Sequence, residues 1–163
     1  MKIEIIQPIV ERKEILKNLL ELYQYDFSEF ESEDVDENGL FGYKYLDCYW
    51  NEPNHYPFLF QVDGKYAGFA LVRKITVEDA SNPSYMKMCE FFVMRKYRKE
   101  GVGKRAAFHI FNLFQDTWEV AELETNLPAQ KFWREVISEY TNNNYSEFYL
   151  DQWPGPIQRF FTV

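Results

Sequence analysis

The chain has 163 residues, of which 46% are apolar and 19% aromatic, enough to bury a sizeable core and too many for a disordered segment. No run of about 18 apolar residues occurs, which excludes a membrane-spanning helix, and the charged start MKIEIIQPIVERKEIL lacks the pattern of a signal peptide. A formal net charge of −8 opposes nucleic acid and anionic membranes as partners and favours a cationic one.

In chain order, Ile3–Ile6 starts a strand, and the spacing of Ile15, Leu16, Leu19, Leu22 and Tyr23 predicts a helix from Glu11 to Tyr25. Residues 26–37, DFSEFESEDVDE, carry seven acids and no base and read as a solvated loop. Leu40 to Trp50 is aromatic and fits a short second helix, which NEPNHYP ends with two prolines. PFLFQVDGKYAGFALVRKI reads as two strands joined at Asp63-Gly64. The polar turn EDASNPS follows, then a strand from Tyr85 to Met94. Val102, Ala106, Ala107, Ile110, Leu113 and Phe114 recur at helical spacing. A strand is expected over Trp118–Thr125, and Pro128 suits the first turn of a helix carrying Phe132, Trp133, Val136 and Ile137. Tyr145–Leu150 and Ile157–Val163 complete the set. The order β-α-α-β-β-β-α-β-α-β-β defines an α/β fold with a mixed central sheet flanked by helices, in one domain over residues 1–163.

Cys48 and Cys89 lie far apart, as expected for reduced thiols in a cytoplasmic protein. His55 and His109 have no Cys or His at ligand spacing, so no metal site is expected. The basic residues are uneven: Arg95, Lys96, Arg98, Lys99, Lys104 and Arg105 crowd one segment in which Glu100 is the only acid. That local patch on an acidic chain points to a bound anion.

The glycines within the patch allow three phosphate cradles. Gly101-Val102-Gly103-Lys104-Arg105-Ala106 fits G-x-G-x-x-A, and Glu122 and Glu124 stand where a ribose-binding acid would. But a dinucleotide fingerprint turns directly from strand to helix, and here Met94 to Glu100 intervene. A P-loop needs Ser or Thr after its lysine, and Arg105 follows Lys104. The third cradle, R-x-x-G-x-G over Arg98–Gly103, fits its setting between strand and helix. Glycines leave backbone N–H groups unobstructed, and a helix start adds positive potential suited to a pyrophosphate.

With CEFFVMRKYRKEGVGKRAAFHIFNLF followed by ELETNLPAQKFWREV, the chain resembles the GNAT family of N-acetyltransferases. Val93, Tyr97, Arg98, Gly101, Gly103, Asn126, Ala129 and Phe132 match the family pattern in order, and the element order matches across nearly the whole chain. The resemblance implies acetyl-CoA as co-substrate. It implies that backbone groups of Phe91, Phe92 and Val93 pair with the pantetheine arm, and that backbone N–H groups from Lys99 through Glu100, Gly101, Val102 and Gly103 to Lys104, flanked by Arg98, hold the pyrophosphate. It places Asn126 and Ala129 along the cofactor arm and Phe132 and Trp133 near the thioester. The family's frequent proton-donating tyrosine falls at Trp133, whose indole is no useful acid.

Acetyl transfer to an amine needs a base, because a lysine-type amine has a pKa of about 10.4. Glu90 is the candidate, with Glu122 and Glu124 as rivals. Alternation places Glu90 and Phe92 on one face of the strand and Phe91 and Val93 on the other. The expected activity is N-acetylation of a primary amine by direct transfer in a ternary complex. The alternative is a non-catalytic acyl-CoA-binding module. The acidic loop suits a cationic acceptor. Tyr43, Tyr45, Tyr49 and Trp50 either line its cleft or fill the core. The aromatic C-terminal strand pair suits a homodimer.

Overall fold

The computed structural model describes residues 1–78, 81 and 83–162. The polar turn read over residues 78–84 and the last residue of the final strand therefore lie partly outside the described residues.

Seven strands form one sheet: β1 (Ile3–Ile6), β2 (His55–Val62), β3 (Lys65–Ile75), β4 (Tyr85–Val93), β5 (Thr117–Ala121), β6 (Tyr145–Leu150) and β7 (Trp153–Phe161), ordered β1-β2-β3-β4-β5-β7-β6. Every pairing is antiparallel except β4 with β5. The helices are α1 (Lys13–Phe27), α2 (Cys48–Asn51), α3 (Val102–Leu113) and α4 (Leu127–Thr141). With short 3-10 turns set aside, the element order is the one read from the sequence.

Both faces of the central strands are covered, which explains their near-continuous apolar runs. Phe58, Phe60, Ala70, Val72, Met86, Met88, Trp118 and Val120 pack against Ala106, Ile110 and Phe111 of α3 and Trp133, Val136 and Ile137 of α4. On the opposite face Leu59, Phe69, Leu71 and Phe92 meet Leu16, Leu19 and Leu20 of α1 and Leu46 and Tyr49. Leu22, placed by periodicity on the apolar face of α1, is instead 49% exposed.

Three boundaries differ from the sequence reading. The second helix spans only Cys48–Asn51, because Gly39 and Gly42 take positive φ and Glu21 captures the N–H groups of Phe41 and Gly42. The fifth strand ends at Ala121 rather than Thr125. Beyond it, the N–H groups of Glu122 and Glu124 still bond to the carbonyls of Pro156 and Pro154, but irregularly. For the same reason the last strand begins at Trp153, since those prolines still accept where they have no N–H to donate.

Two irregularities in β4 shape the site. Leu71 pairs with Glu90 and Val72 with Met88, so Cys89 is an extra residue, a β-bulge. The bulge reverses the alternation: Met86 and Met88 share the α3/α4 face with Phe91 and Val93, while Glu90 and Phe92 face α1. The second irregularity is a splay. β4 and β5 pair only at Met86–Trp118 and Lys87–Glu119, and beyond these the two strands separate.

Candidate active site between the fourth and fifth strands

The splay exposes one edge of β4. The N–H of Met94 donates to the carbonyl of Ala67 on β3, so by alternation the N–H groups of Phe92 and Met94 face β3. Those of Phe91 and Val93 face the gap. The Val93 carbonyl, also on the gap side, accepts from Arg98 Nε at 2.7 Å. Thus Phe91 offers a donor and an acceptor along the gap, and Val93 a donor.

At one end of this edge lies the basic turn. Lys99 and Gly101 both have positive φ, at 63° and 81°, a pattern that turns successive N–H groups toward one side. Gly101 forms the N-cap of α3 in the left-handed region, with no side chain capping that end. Its carbonyl accepts from the Arg105 N–H, so the N–H groups of Val102, Gly103 and Lys104 precede the helical hydrogen-bond ladder. The two glycines serve different needs. A Cβ on Gly101 would meet nothing, so that residue is there for its backbone conformation; a Cβ on Gly103 would lie 3.0 Å from the Phe132 ring, so that residue is there for space.

The flanking bases are largely engaged. Asp26, at the end of α1, bonds Arg95 (2.6 Å) and Arg98 (2.7 Å). Burial pushes the Asp26 carboxyl up, but the two guanidiniums outweigh it and hold the group below its ordinary value. Lys104 pairs with Glu139 at 3.1 Å. Val102 is buried in the core and Glu100 is exposed. The structure therefore directs the Arg98 side chain to Val93 and Asp26, tying the turn to β4 and α1.

Across the gap stands α4. Asn126 caps it, its Oδ1 accepting from the Ala129 N–H at 3.1 Å. Phe132 and Trp133 stack edge to face at 4.9 Å, and Phe91 meets them at 5.8 and 4.8 Å. Trp133 is buried and belongs to the core; Phe132 is partly buried and lies between Gly103 and Phe91.

At the other end of the exposed edge is Glu90. Its Oε2 accepts from Tyr23 Oη at 2.5 Å, its Oε1 from Tyr43 Oη at 3.3 Å. Burial raises its pKa to about 7, against the pull of the two phenols. Tyr23 and Tyr43 are themselves pushed up, first by burial and then by the Glu90 charge. The acidic loop lies alongside: Glu31 and Glu33, with Phe27 and Phe41, line a small indentation beside α1. Of the other aromatics in question, Tyr49 is core, Tyr45 is 59% exposed, and Trp50 donates to the Pro8 carbonyl.

The rival carboxylates lie elsewhere. Glu124 is exposed. Glu122 is buried on the α4 side, its Oε1 accepting from Gln158 Nε2 at 2.9 Å. Burial raises its pKa to about 8. Its Oε2 and Gln158 Oε1 are both buried without a partner. Reading the sequence missed the Tyr23 contact, the Asp26 clamp and the Cys89 bulge. The helical stripe did place Tyr23 toward the sheet, but the other two leave no local signal.

The cleft therefore consists of an unpaired strand edge joining an open helix start to a buried carboxylate. The chain belongs to the acetyltransferase (GNAT) family, whose model covers residues 16–136. It is similar to the solved PaiA N-acetyltransferase of Thermoplasma acidophilum in complex with coenzyme A (12% identity, 99% of each chain covered, TM-score 0.67). It is also similar to the ribosomal-protein-S18-alanine N-acetyltransferase of Escherichia coli (12% identity, 99% of this chain and 95% of that one, TM-score 0.64). A third is an aminoglycoside acetyltransferase from an uncultured soil metagenomic sample, solved with sisomicin (16% identity, 82% of this chain and 86% of that one, TM-score 0.61). At these identities the likeness is one of fold. No curated protein matches the sequence. Among the described residues no helix is long and apolar enough to cross a membrane, and no group of side chains is arranged to hold a metal ion.

Proposed function

We propose that this chain is an acetyl-CoA-dependent N-acetyltransferase that acts on a primary amine of a cationic small molecule or peptide, by direct transfer in a ternary complex in the cytoplasm. The single observation that carries the proposal is the free edge of β4, which runs from the uncapped start of α3 to the Glu90 carboxylate. The coenzyme A bound to the PaiA relative supports the choice of co-substrate.

Phe91 and Val93 bind the pantetheine arm as a strand would, completing the ladder that β5 leaves open. The backbone N–H groups from Lys99 to Lys104 bind the pyrophosphate, helped by the positive end of α3. Arg98 contributes by fixing the turn. Asn126, Ala129, Phe132 and Trp133 border the arm from α4. The Phe91 N–H, which faces the gap on the side nearer Glu90, stabilises the thioester oxygen as negative charge develops there.

Glu90 is the base. The ammonium first gives up one proton to solvent; as the neutral amine nitrogen then bonds to the thioester carbonyl carbon, Glu90 takes the second proton from that nitrogen. The carbon–sulfur bond breaks, the sulfur leaves with the bonding pair, and Glu90 returns the proton to it. One carboxyl thus serves both steps, and no acid is required at position 133. The acceptor enters along the acidic loop, where residues 28–41 hold six carboxylates and no base.

The test is a thermal melt with acetyl-CoA, coenzyme A, NAD or buffer, followed by thiol release from acetyl-CoA with polyamines and lysine-rich peptides. Ligand at a hundred times its Kd adds about 2.7 kcal/mol, a shift of about 2–8 °C. A shift with acetyl-CoA and not NAD, together with thiol release, supports the proposal. A shift without turnover favours the non-catalytic module. A shift with NAD alone overturns both.

A further inference from the structure

The carboxylates along the sheet are held in different ways. Glu119 is held by Arg159, Glu147 by Arg134 and Asp26 by Arg95 and Arg98, all charge-assisted guanidinium contacts. Glu90 is held by two neutral phenols instead, one on each oxygen. Neutral donors fix the plane of a carboxylate without neutralising it, and each oxygen keeps a second lone pair for an incoming proton.

The two phenols come from different elements. Tyr23 lies on α1, its ring packed on Phe27, Phe69 and Phe92 at 5.5–5.6 Å. Tyr43 lies on the loop between α1 and α2, in a segment fastened to α1 just before it. The Glu21 carboxylate accepts from the N–H groups of Phe41 and Gly42, both at 2.8 Å, and Gln24 Nε2 donates to the Gly42 carbonyl at 2.9 Å. One helix thus carries the first phenol and braces the second.

We propose that Tyr23 and Tyr43 are positioning residues for the Glu90 carboxylate, and that Glu21 acts on the same carboxylate at one remove by fixing the loop that delivers Tyr43. This deepens the assignment of Glu90 as base and rests on it for its catalytic meaning, though not for its test. The other groups near Glu90 are Glu31 on the loop, Lys87 and Cys89 on β4, and Tyr49 on α2. Of these, Glu31 raises the Glu90 pKa and Lys87 lowers it, and none is altered by the substitutions below.

The experiment is a carbon-13 NMR titration of the full chain labelled at the glutamate carboxyl carbon. The Glu90 resonance is identified by its loss in Glu90→Gln. In the unsubstituted protein its midpoint is expected at about 7. Tyr23→Phe keeps the ring and its packing and removes only the hydroxyl. It is expected to move the midpoint up by roughly one pH unit, the scale of one hydrogen bond to a charged group. Tyr43→Phe moves it up by less, because its bond is longer. Glu21→Ala moves it in the same direction as Tyr43→Phe, Glu21→Gln by less, and Glu21→Ala adds nothing in the presence of Tyr43→Phe. An unmoved midpoint in both tyrosine variants overturns the proposal. Movement with Tyr43→Phe but not with Glu21→Ala overturns the brace. The titration uses neither cofactor nor acceptor, so failure of the acetyltransferase assignment shows separately, as absent thiol release and no melting shift with acetyl-CoA.

Discussion

Glu90 sits where burial and hydrogen bonding oppose each other. Its carboxyl titrates near neutrality because burial outweighs two phenol donors. The proposed base Glu90 acts in its ionised form, so acetyl transfer should show a limb rising with pH through about 7, separate from the further rise set by the acceptor amine at about 10.4. Glu90→Gln should remove that limb and lower kcat by about 10²–10⁴-fold while acetyl-CoA still raises the melting temperature. Loss of cofactor binding in that variant would show that Glu90 is structural. Gly103 makes the complementary point about space. A Cβ at that position would already stand 3.0 Å from Phe132, closer than ordinary van der Waals contact, so Gly103→Glu drives a charged side chain against the α4 ring. It should abolish the acetyl-CoA-induced melting shift, with far-UV circular dichroism reporting the retained fold. An undiminished shift would move the cradle elsewhere.

At the scale of elements, a polar cluster joins the segment after β5 to β6, β7 and α4. Glu122, Gln158, Glu147 and Arg134 form a polar cluster in which Glu122 Oε2 and Gln158 Oε1 lack partners. One proton on Glu122 Oε2 supplies a donor where both atoms are acceptors. The folded-state pKa is raised to about 8 against about 4.3 unfolded, so the folded carboxyl keeps its proton up to about 8, and the stability this contributes is full below about 4.3 and is lost as pH rises from there through about 8. Glu122→Gln replaces that proton with an amide donor at every pH. It should stabilise the fold by about 1–3 kcal/mol at pH 8.5 and by much less at pH 5, measured by denaturant unfolding. Equal effects at both pH values would mean that the carboxyl is ionised throughout.

The same elements show what the sequence discloses. Periodicity located α1, α3, α4 and the central strands, because burial on both faces makes their apolar patterns strong. It also placed Glu90 and Phe92 opposite Phe91 and Val93, because alternation is regular on that side of the bulge. The bulge at Cys89 was invisible, since no glycine or turn residue marks it and an extra residue is a property of pairing with β3. The second helix was overextended for a related reason: its aromatic stretch looked helical, but Glu21, twenty residues away, holds the backbone at Phe41 and Gly42. The arginines of the turn looked free for an anion because Asp26 is remote in sequence. Long-range polar contacts set these details, and local pattern carries no record of them.

At the scale of the whole molecule, charge and architecture divide the labour. The acidic loop borders both features of the cleft: it begins at Asp26, clamped to Arg95 and Arg98 of the cationic turn, and continues to Glu31, near Glu90. Asp26 links the two regions, its carboxylate at the end of α1 reaching the arginines beside the cradle.

The narrow seam between β4 and β5 has a mechanical meaning. Two residue pairs join two half-sheets, β1-β2-β3-β4 on one side and β5-β7-β6 on the other. Both half-sheets share one core beneath α3 and α4, so the gap interrupts the hydrogen-bond ladder and not the packing. A molecule lying along the gap with amides of its own supplies the missing rungs. The hydrogen-bond ladder of the sheet is then continued by the bound molecule itself.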